Sequence, residues 1–292
     1  PEIDNSLLKD IPNKLTVIKR KIFEPYAFYR ILTGKGKNDS NYNFVKVDDK
    51  KRNQFIEKLT IWLRGNLFIP DARRFWIQPS ISFLTSFLQY NKVDAIISTG
   101  PPHSMHLIAL GLQKKLNIPW LADFRDPWTD IDFYHKLMLT KWADRKHHRL
   151  EKKVLKSTDV VVTVSNAWAN NFVKSGANRV EIVHNGYDHE DFDFLPINRD
   201  LDSFVISHFG SLNKDRNPNT LWKVLDELSS ENDALDKSLE LHFYGTVDIA
   251  LKDSLKEHNL FDKTIFFDYV EHEEAIRKSA QSSVLLLLLN DA

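Results

Sequence analysis

Short, near-continuous apolar runs recur along this chain, and between them apolar residues return at the spacing of a helical face. The runs are Val93–Thr99, Ile118–Phe124, Val160–Val164 and Glu181–His184, then Phe204–Phe209, Leu239–Tyr244, Thr264–Tyr269 and Val284–Leu289, with an earlier one at Lys14–Lys19. Most lack the polar alternation of a strand with one wet face, so both faces are expected to be covered by helices. Helical patterns over 104–117, 137–156 and 217–229 fall between the runs. Strand, crossover helix and strand in repetition define an α/β fold with parallel sheets. A further helical face is written by Ile77, Ile81, Leu84 and Leu88.

A chain of 292 residues suits one large or two ordinary domains. Net charge is zero, yet residues 1–180 hold 30 Lys/Arg against 17 Asp/Glu, and residues 181–292 hold 10 against 23. Two halves of opposite sign predict two domains with different partners. The sign changes beside a turn-rich segment, Asn185-Gly186-Tyr187-Asp188 onward to Pro196 and Asp202. The expected division is therefore a domain over 1–186, a linker over 187–202 and a second domain over 203–292. With no cysteine, disulfide frameworks, thiolate metal sites and cysteine nucleophiles are excluded. The longest apolar run, Val284–Leu289, is far below the ~20 residues of a membrane-spanning helix, which predicts a soluble, cytoplasmic protein.

Four clusters carry chemistry. Ser98-Thr99-Gly100-Pro101-Pro102-His103-Ser104-Met105-His106 runs from a strand end into a helix start, where free N–H groups attract anions and His103 or His106 can add a proton donor. The plainer reading has Ser104 capping the helix and His106 packing in the core. Asp123, Arg125 and Asp126 follow the next strand, at the edge where open parallel sheets bind ligands, or else they only fix the loop. Asp130-Ile131-Asp132 has the D-x-D form by which some sugar transferases hold a metal–diphosphate. In the acidic half, a strand runs into Gly210, with Ser211, Lys214 and Arg216 following and a helix opening near Pro218. Glycine there allows close approach, and the cations with the helix start can hold a diphosphate. Gly245 repeats the strand-then-glycine arrangement. No GxGxxG or Walker loop occurs. Trp62, Arg73, Arg74 and Trp76 mix rings with cations and are read as an acceptor or membrane face. The segment 136–156, with eight Lys/Arg against two acids, deepens a positive surface.

In order, TGPPHSMHLIAL, IPWLADFRDPW, DVVVTVSNAW, VEIVHNGYD and FGSLNKDRNP resemble bacterial GT-B glycosyltransferases of family 4. The resemblance implies two Rossmann-like domains with parallel sheets facing a cleft. It also implies retaining transfer of a sugar from a nucleotide-sugar donor, without a metal or other cofactor. By the same resemblance Gly210 lines the donor diphosphate loop and Lys214 or Arg216 is its cation, since Ser211 stands where many members have arginine. Asn185, Gly186 and Asp188 match the interdomain segment, Arg125 and Asp126 fall where many members carry a histidine near the reacting sugar, and His103 lies on a loop that can face the cleft. A glycine-rich first strand before Lys14 and an E-x7-E element after Leu289 are the family features this chain lacks, so it is expected to be an incomplete piece with a partial second domain.

The implied partners are a nucleotide-sugar donor, a saccharide or lipid-linked acceptor and an anionic membrane surface, which places the protein on the inner face of the plasma membrane; nucleic acid is not expected. Two rival readings are a nucleotide-sugar epimerase of the same fold and a truncated, non-catalytic binding domain.

Overall fold

The apolar runs form two separate parallel sheets. The computed structural model describes residues 11–12, 14–22, 52–193 and 202–289, and these fall into two compact units, an N-terminal one of 17–22 and 52–186 and a C-terminal one of 187–193 and 202–289 that also takes in 11–12 and 14–16. The remaining part of the expected linker, 194–201, lies outside the described residues.

In the N-terminal unit, two helices, α1 (Arg52–Leu67) and α2 (Ile77–Tyr90), precede the sheet. The chain then alternates as β1 (Ile96–Gly100), α3 (Ser104–Leu116), β2 (Trp120–Phe124), α4 (Lys141–Ser157), β3 (Val160–Thr163), α5 (Asn166–Ser175) and β4 (Val180–Ile182). The strands lie in the order β1-β2-β3-β4, all parallel. Trp120, Ala122 and Phe124 of β2 are buried, and with Val154, Leu155, Val161 and Phe172 they form the core of this unit. Thr140 and Ser165 accept the N–H groups that open α4 and α5, the side-chain caps expected at helix starts. The α2 face packs as its spacing predicts: Ile81 joins Ile108 and Leu112, with Leu84 and Leu88 against them. A side chain at Gly111 would stand 2.3 Å from Ile81 Cδ1, so glycine lets α2 and α3 approach.

The C-terminal unit runs β5 (Phe204–Phe209), α6 (Asn219–Glu231), α7 (Asp233–Ser238), β6 (Leu239–Tyr244), α8 (Ile249–Glu257), β7 (Thr264–Phe267), α9 (His272–Gln281) and β8 (Val284–Leu285). Its order is β7-β6-β5-β8, again parallel. Successive strands step one way from β5 to β7, then β8 returns to the other side of β5, so the order reverses at β5. Trp222, Leu241, Phe243, Leu251, Leu255 and Leu260 fill the core. Residues 187–193 belong to this unit, where Asp191 pairs with His272 of α9 at 2.9 Å.

Two expectations are corrected. Lys14–Lys19 forms no strand; Leu15, Val17 and Ile18 are 60%, 61% and 42% exposed, so its short apolar stretch, flanked by Lys14 and Lys19, is not covered by the core. Val284–Leu289 is a two-residue edge strand followed by extended chain. Leu286 and Leu288 turn onto the core, while Leu287 and Leu289 are 82% and 78% exposed, so a run of leucines is half-buried rather than covered on both faces.

Candidate functional site

In an open parallel sheet the strands' carboxyl ends leave backbone groups and loops free to meet a ligand. Both sheets place their most distinctive polar residues there.

In the N-terminal unit, β1 ends at Gly100 and α3 opens at Ser104. The expected anion cradle is occupied. Asp71, from the loop between α1 and α2, accepts the Ser104 N–H at 2.8 Å and its hydroxyl at 2.5 Å. The next two N–H groups bond back to Pro102 and His103 carbonyls. A carboxylate held 33 residues upstream thus supplies the negative charge that the helix start favours. Asp71→Ala should destabilise this unit by about 2 kcal/mol, since it leaves two buried Ser104 donors unpaired; urea denaturation checks this, and an unchanged midpoint would remove Asp71 from that role.

Behind that helix start lies a layer of rings. His106 is fully buried, stacks on Phe124 at 4.3 Å and shares a 2.8 Å hydrogen bond through Nδ1 with Ser98 Oγ, which also accepts the Trp120 indole N–H. His103 lies flat on Trp128, 4.9 Å between centroids. Burial pushes both imidazoles down to about 3, with His147 adding to the effect on His103 and His103 to that on His106. Both are therefore neutral at physiological pH, and His103 holds no imidazolium proton there to donate as an acid. His103 Nδ1 and His106 Nε2 have no partner among the described residues, and they stand 3.3 and 2.5 Å from where a Gly100 Cβ would sit. At the end of β3, the buried Thr163 Oγ1 is unpartnered as well.

The second cluster fixes the loop. Arg125 donates from Nη2 to the Pro101 carbonyl at 2.7 Å and its N–H bonds the Gly100 carbonyl, while Asp123 accepts the Thr99 hydroxyl across the β1–β2 register. Asp126 is half-buried beside them. Asp130 accepts from Asn171, and Asp132 accepts its neighbour Phe133's N–H; no group of three metal-ligating side chains gathers among the described residues. Underneath, Glu151 accepts the Trp128 and Thr129 N–H groups and the Thr129 hydroxyl, and burial holds its carboxyl above the ordinary range. His147 accepts the Trp128 indole N–H and bonds the Gly65 carbonyl.

The aromatic-basic segment divides. Trp62 and Arg73 reach solvent, but Trp76 packs on the Ile81–Ile108–Leu112 cluster, and Arg74 donates to the Leu67 carbonyl while covering Phe75. Trp76 is thus half-buried on that cluster at the start of α2, while Trp62 and Arg73 stay in solvent.

In the C-terminal unit, Gly210 and Gly245 end β5 and β6 side by side. Both have positive φ, 128° and 120°. A Cβ on Gly245 would lie 2.7 Å from the Gly210 carbonyl oxygen, so the two backbones touch as they leave the sheet. Phe209, Tyr244 and Phe267 stack as a ladder beneath, 4.5 and 4.4 Å between centroids. Asn213 caps the turn Lys214–Arg216 by accepting the Asp215 N–H, and Asn217 joins Ser254 to the Trp222 indole. Ser211 and Lys214 are exposed and Arg216 is half-buried. Sequence reasoning missed His208, which is 6% exposed, bonds the Leu286 carbonyl through Nδ1, and carries an Nε2 with no partner among the described residues, 3.7 Å from the Gly210 Cβ position. Only the β5–β8 pairing exposes that signal. Asn185 and Gly186 lie in an exposed loop after β4, and among the described residues no atom comes within 4 Å of a Gly186 Cβ.

Two parallel βαβ sheets, each with its polar cluster at the carboxyl edge, define the class: an α/β protein of the GT-B type. The chain belongs to glycosyltransferase family 4, whose profile matches residues 46–191. Sucrose-phosphate synthase from Thermosynechococcus elongatus is similar in fold, with TM-score 0.52 and 14% identity over 72% of this chain and 53% of that one. Other matches are the lipopolysaccharide outer core galactosyltransferase WaaB in its apo form (TM-score 0.44, 14% identity, 83% of this chain and 57% of that one) and the UDP-GlcNAc 2-epimerase from Methanocaldococcus jannaschii (0.42, 15%, 70% and 59%). The chain spans between half and three-fifths of the length of these proteins. A search of curated proteins finds no match. Among the described residues no helix is long and apolar enough to cross a membrane.

Proposed function

We propose that the protein takes part in retaining transfer of a sugar from a nucleotide-sugar donor to a saccharide or lipid-linked acceptor of the cell envelope, on the cytoplasmic side of the membrane and without a metal. The observation that carries the donor half of this reading is Gly210. It ends β5, where the strand order reverses, and such a reversal is where open α/β sheets bind nucleotides. With no side chain at Gly210 or Gly245, a diphosphate can approach the backbone. Lys214 and Arg216, one turn further on, supply positive charge in an otherwise acidic half.

The N-terminal edge then receives the acceptor. Its neutral, half-buried His103 offers hydrogen bonding rather than charge, a chemistry suited to hydroxyls, with the buried His106 beneath it. Retention and metal independence rest on the motif resemblance alone. Calorimetric titration with nucleoside diphosphates tests the donor site: Lys214→Ala with Arg216→Ala should weaken binding at least tenfold, and unchanged affinity would move the diphosphate elsewhere. Incubation with donor alone separates the epimerase reading, which requires an isomerised sugar nucleotide and no acceptor.

A further inference from the structure

The helix α4 carries its charge in a pattern that folding does not require. One side of it, Ala143, His147, Glu151, Val154 and Leu155, is buried. At about 100° per residue the opposite side spans an arc of about 140°, and every residue on it is a cation or an aromatic ring: Lys141, Trp142, Arg145, Lys146, Arg149, Lys152, Lys153 and Lys156. All are exposed except Lys146, which is half-buried because its ammonium lies over the Trp142 ring at 4.7 Å. The two acids of the helix face elsewhere and are engaged: Asp144 with Tyr134 and His148, Glu151 with Trp128 and Thr129. Lys114 of α3 adds to the strip, close enough to Lys153 for a hydrogen bond that, with the repulsion between them, holds the Lys114 ammonium below its ordinary range. Like charges crowd here instead of dispersing, and crowding of this kind costs free energy until an anionic partner offsets it.

The strip is straight and about 25 Å long, the length of a 17-residue helix. Its aromatic residue, Trp142, is 62% exposed at the N-terminal end of the helix. The loop before it exposes Phe133 (49%) and Met138 (38%). Cations along a line, with an indole and other apolar groups at one end, match a flat surface that has anionic headgroups over an apolar interior. A polyanion without an apolar layer leaves Trp142, Phe133 and Met138 unused.

We infer that the solvent face of α4, and not the Trp62–Trp76 segment, is the surface by which this protein docks on an anionic lipid bilayer. Because α4 leaves the carboxyl edge of β2 and returns to the amino edge of β3, docking along it brings the Trp142 end of the sheet, with the His103 cluster's edge, to the level of the headgroups. The inference deepens the reading above, since it assumes an acceptor presented at a membrane.

The test is co-sedimentation of the whole chain with phosphatidylcholine vesicles, with and without about one-third phosphatidylglycerol, at low and at physiological salt. Binding is expected only with phosphatidylglycerol and should weaken with salt. Arg149→Glu with Lys152→Glu should lower partitioning at least tenfold, whereas Lys58→Glu with Lys92→Glu, an equal charge change at exposed positions off α4, should lower it less than threefold. Trp142→Ala should weaken binding while keeping its salt dependence. Equal losses in the two double variants, or equal binding to neutral vesicles, would overturn the assignment. Tighter binding to duplex DNA than to the anionic vesicles, at equal phosphate, would overturn it in favour of nucleic acid. No sugar donor enters this assay, so its failure leaves the nucleotide titration of Lys214 and Arg216 to decide the transfer reading separately.

Discussion

Gly245→Ala should cost the C-terminal unit about 3 kcal/mol of unfolding free energy and weaken nucleotide binding with it. Two effects add. A φ of 120° is strained for any residue with a Cβ, and that Cβ would stand 2.7 Å from the Gly210 carbonyl oxygen and 3.1 Å from its carbon. Those atoms are backbone and cannot rotate away. They are held by the Gly210 N–H on the Tyr244 carbonyl at 2.9 Å and the Leu212 N–H on the Thr246 carbonyl at 2.9 Å, so relief means breaking the loop that shapes the proposed diphosphate site. Gly210→Ala is the internal comparison. Its φ of 128° is as unusual, but the nearest atom to its Cβ is His208 Nε2 at 3.7 Å, an ordinary contact. It should cost only the conformational part, about 1–2 kcal/mol. Denaturant unfolding of both variants decides the point: equal losses would mean that the close approach of the two backbones contributes nothing.

Acidification should unfold the N-terminal unit ahead of what its carboxylates dictate. His106 is folded neutral with its proton affinity pushed down to about 3, against about 6.5 in the unfolded chain. Between those values the unfolded state binds the extra proton, so stability rises with pH and is lost as pH falls from 6.5 toward 3. From pH 6.5 to 4.5 this one side chain removes about 2 kcal/mol. His103, pushed down to the same region, adds to the slope, though coupling between the two rings makes their sum smaller than twice one. Urea midpoints measured against pH should show a slope that His106→Leu reduces by close to one proton. Imidazole signals of both residues should stay in the neutral form from pH 8 to pH 5, and titration near 6.5 would contradict the buried stacking on Phe124.

The strands were legible in the sequence because burial on both faces leaves continuous apolar runs: Phe204–Phe209 and Leu239–Tyr244 match the structure end to end. Where the same pattern misled, at Val284–Leu289, composition alone could not say that the strand would lie at a sheet edge with every second leucine exposed. The glycines at 210 and 245 could be named as loop positions following strands, but not as neighbours, since their contact follows from the β5–β6 register. Asp71 carried no local sign of its role. Its partner is Ser104, and a cap supplied across 33 residues leaves no spacing to read.

From sequence alone come the α/β class, the reversal of charge between halves, the basic character of 136–156 and the glycines that follow strands, because each is written in neighbouring residues. Tertiary structure decided the rest. It determined which helix start is already filled by a carboxylate, which histidines are neutral, where the strand order reverses, and which of two basic segments presents its cations together. Those depend on pairings between residues tens of positions apart, and desolvation and charge act through that proximity in space.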